Sequence, residues 1–357
     1  MQAPAFFRMK ITILGAGAWG TALALSLAKR HEVVLWGRNE IALYAMQRDR
    51  ENKPYLPGFA LPPSLQCTPD FDAALAHVAA PSSSLSSSAD SLLIAASSVS
   101  GLRAICTQIA AQTRQAQPHR VPNLVWLCKG LEQESHLLPH QIVREVLGDK
   151  LPVGALSGPS FAQEVARGLP CALTFAGTDA DLCERVVEAL HGDRLRIYSS
   201  DDLIGVEVGG AVKNILAIAT GAADGLALGL NARAALITRG LAEITRFGVA
   251  LGARAETFTG LSGMGDLILT CTGDLSRNRK VGLGLAQGKP LRQIEAELGH
   301  VAEGVRCAKA VRALARQHGV EMPISDAVAS ALFDGLPVTE MVGRLLSREP
   351  REEHRRH

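Results

Sequence analysis

The sequence predicts an α/β domain built on a mostly parallel sheet, followed by an all-α domain. Three observations predict it. Strand-like and helix-like stretches alternate through the first half, a G-x-G-x-x-G turn joins the first pair of them, and strand signals stop near residue 200. At 357 residues the chain suits two domains, expected at 1–199 and 200–357.

The elements follow in order. Ile11-Thr12-Ile13-Leu14 is a short apolar, β-branched run that ends at Gly15, and residues 19–29 then show helical spacing. Val33-Val34-Leu35-Trp36 repeats the strand signal and residues 40–48 the helical one. Further strands are expected at 91–95, 124–127, 153–156, 172–176 and 195–198, with helix-compatible stretches between most of them. Residues 79–88 (AAPSSSLSSS) break this rhythm and read as a flexible Ser-rich surface insertion. Beyond residue 203 the chain is rich in Ala and Leu at helical spacing, notably over 232–251, 303–318 and 326–333. Ser199-Ser200-Asp201-Asp202 supplies candidate N-caps for the first of those helices.

Composition removes several classes of function. Lys plus Arg (37) nearly balances Asp plus Glu (35), for a formal charge of +2, so there is no basic field for nucleic acid. The last dozen residues mix both signs and read as a solvated tail, and residues 1–8 as an extension ahead of the first strand. The seven cysteines are scattered and never form a Cys-x-x-Cys pair, which argues against a disulfide framework or a zinc site and suits a reducing cytosol. His136 and His140 stand four apart, but Pro139 lies between them and no carboxylate or Cys pattern joins them; no metal is expected. No apolar run approaches the ~18–20 residues of a membrane span, and the N-terminus is a poor signal peptide. The chain therefore reads as cytoplasmic, without membrane insertion.

Gly15-Ala16-Gly17-Ala18-Trp19-Gly20 stands directly after a strand and opens a helix. In that context Gly15 permits the tight turn, Gly17 lets the backbone approach a pyrophosphate, and Gly20 allows close helix–sheet packing. The helix N-terminus faces the phosphates. This is a Rossmann-type dinucleotide site, and Trp19 is placed to contact cofactor or substrate, or simply to cover the helix. The second strand ends Trp36-Gly37-Arg38-Asn39, with Arg38 where an acid would accept a ribose hydroxyl. Arginine there suits a 2′-phosphate, so NADPH is expected to bind; Glu40 leaves room for NADH.

Four later segments point to a substrate. Lys129 follows the 124–127 strand and so points into the ligand crevice of an open sheet. Ser157-Gly158-Pro159-Ser160 follows another strand and opens a helix, a second place where backbone N–H groups can meet an anion. Lys213 is a lone charge in an Ala-, Val- and Leu-rich helix, either snorkelling from its edge or desolvated for proton exchange. Asp266 is either a helix N-cap or a partner for that lysine. Ser276-Arg277-Asn278 is either a polar turn or a phosphate clamp of hydroxyl, guanidinium and amide.

From about residue 9 to 346 the chain resembles the bacterial NAD(P)-dependent glycerol-3-phosphate dehydrogenases. The distinctive stretches are LVWLCKGLE, LSGPSFAQEVARGLP, VGGAVKNILAIATG, NARAALITRGLAE, GLSGMGDLILTCTGDLSRNRKVG and VAEGVRCAKAV, in that order. The resemblance implies reversible reduction of dihydroxyacetone phosphate to sn-glycerol 3-phosphate with NADPH or NADH, supplying phospholipid synthesis, in a homodimer. It implies Lys213 as catalytic acid/base, with Lys129, Gly158, Ser160, Asp266, Ser276, Arg277 and Asn278 around the substrate. Cofactor contacts are implied for Ala18, Trp19, Arg38, Lys129, Ala162, Arg277, Val301 and Glu303, beside Gly15, Gly17 and Gly20 of the motif. The Ser-rich insertion and the Ala96-Ser97-Ser98 turn, where the family often has Val-Pro-Ser, depart from the pattern. Two rivals share the glycine loop: a β-hydroxyacid dehydrogenase, which has no use for a phosphate clamp, and a non-catalytic nucleotide sensor, which has no use for Lys213.

Overall fold

A computed structural model describes residues 8–79, 91–113, 121–299 and 302–346. The Ser-rich segment beyond Ala79, Val301, the first seven residues and the charged tail lie outside them.

The N-terminal half runs β1 (Lys10–Leu14), α1 (Ala18–Leu27), β2 (Glu32–Trp36), α2 (Glu40–Asp49), β3 (Glu51–Asn52), β4 (Leu56–Ala60), β5 (Gln66–Thr68), α3 (Phe71–Val78), β6 (Ser91–Ala95), α4 (Val99–Thr113) and β7 (Leu124–Trp126). It continues through α5 (Pro139–Leu147), β8 (Val153–Ser157), α6 (Ala162–Ala166), β9 (Cys171–Gly177), α7 (Ala180–Leu190) and β10 (Leu195–Ser200). Eight strands form one sheet in the order β10-β9-β8-β7-β6-β1-β2-β5, parallel throughout except for the β8–β9 pair. β6 and β8 are buried at every residue, as strands covered on both faces must be. All seven expected strands are present. The sequence reading missed β5 and the β3–β4 hairpin, which are too short and too exposed to leave an apolar run.

The order fixes where a ligand goes. From β1 the chain builds outward through β2 and β5, then jumps to β6 on the other side of β1. Crevices open at the carboxyl ends of strands where the winding reverses, here between β1 and β6.

The remaining elements are helical: α8 (Leu203–Gly225), α9 (Gly229–Ala250), a 3-10 turn (Ala255–Thr259), a π turn (Leu261–Gly265), α10 (Asp266–Thr272), α11 (Arg277–Ala286), α12 (Leu291–Leu298), α13 (Glu303–Gln317), α14 (Pro323–Phe333) and α15 (Val338–Leu346). Asp202 is the N-cap that starts α8, accepting from Gly205 N at 2.9 Å. The expectation about apolar runs needs correction here: α8 is long and apolar enough to cross a membrane by length and composition. Its most apolar window is nevertheless 94% buried inside the protein, so its apolar surface is spent on the core of the helical half. Glycines let neighbours come close. A Cβ at Gly221 would lie 2.0 Å from the Arg279 carbonyl oxygen, and one at Gly282 equally close to that of Ile218, so α8 and α11 cross nearly backbone to backbone.

Candidate active site

Three elements bring the ionisable groups together. Lys129 leaves the carboxyl end of β7, Lys213 lies midway along α8, and Asp266 opens α10. Lys129 Nζ donates to Asp266 Oδ2 at 2.6 Å and to the Gly158 carbonyl at 2.9 Å. Lys213 Nζ donates to Asp266 Oδ1 at 2.5 Å and to Thr270 Oγ1 at 2.8 Å. One carboxylate thus bridges two ammonium groups.

Asp266 is not the helix cap that its Gly-Asp context suggested. The π turn ahead of it already winds helically, Gly265 occupies the cap position, and both Asp266 oxygens point to lysines. Thr270, one turn on, donates to the Asp266 carbonyl at 2.6 Å while accepting from Lys213. The sequence reading missed it; its signal was only the i+4 spacing from Asp266. Lys213 is not snorkelling: it is 6% exposed. Burial pushes its titration down to about 8, against the opposing pull of Asp266, and Lys129 lowers it further. An ammonium has three donors, and two of those on Lys213 are committed to protein.

The glycine loop lies at the β1–β6 crevice. Gly15 has φ +136°, and a Cβ there would meet the Ala96 carbonyl oxygen at 2.5 Å. A Cβ at Gly20 would sit 2.0 Å from the Gly15 carbonyl oxygen. At Gly17 a Cβ would meet no protein atom within 4 Å, so nothing inside the fold requires glycine there. The space it leaves fits the close approach of a dinucleotide pyrophosphate. Asn52 Nδ2 braces the loop, donating to the Ala16 carbonyl at 2.9 Å and to Thr21 Oγ1 at 2.7 Å; this residue, too, was missed. Trp19 is partly buried and packs with Ala162 against the N-terminal core, while Arg38 stands exposed just past β2.

Beside Lys129, Gly130 (φ +144°) packs against α13, and a Cβ there would lie 3.9 Å from Glu303 Oε2. Burial pushes the Glu303 carboxyl above its ordinary value, opposed by Arg306 and Arg277. Arg277 is exposed at the first turn of α11. Its neighbours are engaged within the protein. Ser276 Oγ caps α11 by accepting from Arg279 N, and Asn278 donates to Asn214 Oδ1 at 2.9 Å while accepting from Gly304 N at 2.9 Å. Of the three residues expected to form a clamp, Arg277 is exposed, while Ser276 and Asn278 are buried and hold helix starts.

Ser160 Oγ donates to the Gly158 carbonyl at 3.0 Å. The helix expected to offer N–H groups to an anion there, α6, is only five residues long, and the Gly158 carbonyl holds Lys129 instead. Among the described residues no group of three or more His, Cys, Asp or Glu is placed to hold a metal ion.

Comparison with known proteins decides among the rivals. The family described as NAD-dependent glycerol-3-phosphate dehydrogenase matches in two parts, its N-terminus over residues 10–183 and its C-terminus over 202–343. The chain belongs to this glycerol-3-phosphate dehydrogenase family. The glycerol-3-phosphate dehydrogenase [NAD(P)+] of Herminiimonas arsenicoxydans is 67% identical over 345 residues, covering 97% of this chain and 99% of that one. Among solved structures, the glycerol-3-phosphate dehydrogenase of Coxiella burnetii is 40% identical with a TM-score of 0.87, covering 96% of this chain and 100% of its own. That of Saccharomyces cerevisiae is 27% identical with a TM-score of 0.75, covering 94% and 99%. As a glycerol-3-phosphate dehydrogenase the chain is an NAD(P)-dependent oxidoreductase.

Proposed function

We propose that the chain reduces dihydroxyacetone phosphate to sn-glycerol 3-phosphate, reversibly, with Lys213 as the group that moves the proton. The observation that supports this reading is the buried Lys213 ammonium held by Asp266 and Thr270 beside a second lysine. Bound NADPH or NADH supplies the hydride to C2 of the ketone.

Lys213 donates its proton to the C2 oxygen as negative charge grows there, and takes it back in the reverse direction. A titration at about 8 leaves the group mostly protonated near neutrality, yet able to release the proton readily. Lys129 adds positive charge beside the same oxygen. Asp266 orients both lysines, and its negative charge offsets the burial that would otherwise discharge Lys213. Arg277 pairs with the substrate phosphate, Gly158 and Ser160 border the substrate, and Arg38 takes the 2′-phosphate of NADPH. Ala18, Trp19, Ala162 and Glu303 complete the cofactor contacts.

The phosphate reading rests on Arg277 and the process on Lys213, so two variants test them. Lys213→Met should lower kcat by at least ~10²-fold while NADPH still binds; near-normal turnover would defeat the assignment. Arg277→Ala should raise KM for dihydroxyacetone phosphate but not for dihydroxyacetone, and equal losses on both would remove the clamp.

The product feeds phospholipid synthesis, and the enzyme works in the cytoplasm as a homodimer without membrane insertion. Sedimentation velocity checks the dimer. The division at 199/200 falls inside β10, before its last residue, and a cut between Ser200 and Leu203 is where the cofactor-binding half should separate.

A further inference from the structure

We propose that Glu207 and His140 form a positioning pair that sets the register between the two lysines. This rests on Lys213 and Lys129 acting together as described above. Glu207 lies on α8, six residues before Lys213, or about 9 Å along a helix. Its neighbour Trp126 ends β7 three residues before Lys129, or about 10 Å along an extended chain. α8 is therefore held at two levels along its length. Asp266 joins α8 to β7 at the lysines, and Glu207 joins α8 to α5, the helix that follows β7, one step back.

The tie is specific. Glu207 Oε1 accepts from the His140 backbone N at 2.8 Å, a free donor of the first turn of α5, and Oε2 meets His140 Nδ1 at 2.5 Å. A carboxylate facing Nδ1 keeps the proton on that nitrogen. The Trp126 indole N–H lies beside the carboxylate without a well-formed hydrogen bond. At the lysine level the fit is equally close. A Cβ at Gly210, one turn beyond Glu207, would sit 3.2 Å from Lys129 Cγ. Sliding α8 along β7 would drive Gly210 against Lys129 and pull Lys213 off Asp266.

Stability alone is a poor explanation for this pair. Glu207 is 5% exposed, and burial raises its carboxyl above the ordinary value despite His140. Buried ion pairs contribute little net stability, and their best-attested use is to fix one register among near-equivalent packings.

The test uses the full-length enzyme and the series His140→Ala, His140→Asn and Glu207→Gln. Asparagine presents an N–H where imidazole presents Nδ1–H, so it keeps the donor; alanine does not. His140→Ala and Glu207→Gln should lower kcat by about tenfold or more with NADPH affinity unchanged, because a displacement of ~1 Å is enough for such a loss. His140→Asn should recover most of it. The alkaline limb of kcat should also move downward in His140→Ala, as Lys213 is drawn off Asp266, the group that holds its titration up. The groups facing Glu207 are His140 from α5, Trp126 from β7 and the thiol of Cys128, which burial holds well above its ordinary titration, so none mimics that limb. Turnover within twofold of the parent and an unmoved limb in both His140→Ala and Glu207→Gln would overturn the proposal. So would a loss matched by the lost folded fraction, or His140→Asn no better than His140→Ala. Lys213→Met separates the two readings: if it stays active, the proton-transfer assignment fails, whatever the His140 series does. If Glu207→Gln does not fold, the His140 pair decides, since that side chain is 19% exposed.

Discussion

Replacing Asp266 with Asn changes one charge at the point where two buried ammonium groups meet. The carboxylate oxygens stand 2.5 Å from Lys213 Nζ and 2.6 Å from Lys129 Nζ. At an effective dielectric constant of ~20, unit charges ~3 Å apart interact by ~5 kcal/mol, and removing one partner of a buried pair costs ~3–5 kcal/mol. At ~1.4 kcal/mol per pKa unit, Lys213 should lose about two units or more from a starting point of about 8. Burial and the like charge of Lys129 already push in that direction. Protonation near pH 7 then drops from about nine-tenths to about one-tenth or less. Ketone reduction needs the protonated lysine, so its activity is present below the lysine pKa and lost above it. The variant should therefore show kcat about tenfold lower at neutral pH, recovering as the pH is lowered. The assay is a pH profile of dihydroxyacetone phosphate reduction followed by NADPH absorbance. An alkaline limb still near 8 with kcat within twofold would refute the argument that Asp266 keeps Lys213 charged.

Four further outcomes follow from the same structure. Gly17→Ala should keep the parent melting temperature and weaken NADPH binding, because a Cβ there meets no protein atom within 4 Å. Gly20→Ala should instead destabilise the fold by ~1–3 kcal/mol in thermal denaturation, since its Cβ would fall 2.0 Å from a backbone oxygen. Arg38→Ala should raise KM for NADPH by about tenfold and leave NADH nearly unchanged, whereas equal effects on both would deny it the 2′-phosphate. Glu243 on α9 accepts from Ile324 N, Ser325 N and Ser325 Oγ at the start of α14, yet burial pushes its titration up to about 7. A carboxyl raised in the folded state stabilises most below its ordinary range, and that stability is lost as pH rises through about 7. The loss is on the order of 3 kcal/mol, and Glu243→Gln should flatten the slope of denaturation free energy between pH ~5 and ~8.

Much of the fold was legible because its signals are local. A strand buried on both faces is an apolar run, and Asp202 next to a helical pattern is a cap, whatever the rest of the chain does. The β3–β4 hairpin and β5 were illegible because two to five half-exposed residues carry no periodicity. The site was legible by residue type rather than by partnership. Lys129, Lys213 and Asp266 stood out as unusual residues in their segments, but nothing nearby in sequence says that they touch.

What the sequence determined by itself is the order of the longer elements, the glycine turn after the first strand, and the arginine beyond the second strand. These depend on backbone sterics and periodicity within a few residues. The tertiary structure alone decided the electrostatics. Asp266 meets Lys129 across 137 residues of chain and Lys213 across 53. Desolvation of Lys213 is a property of everything packed around it, not of its own helix. The same holds for Ser276-Arg277-Asn278, where only packing showed that Ser276 and Asn278 are engaged within the protein while Arg277 is exposed.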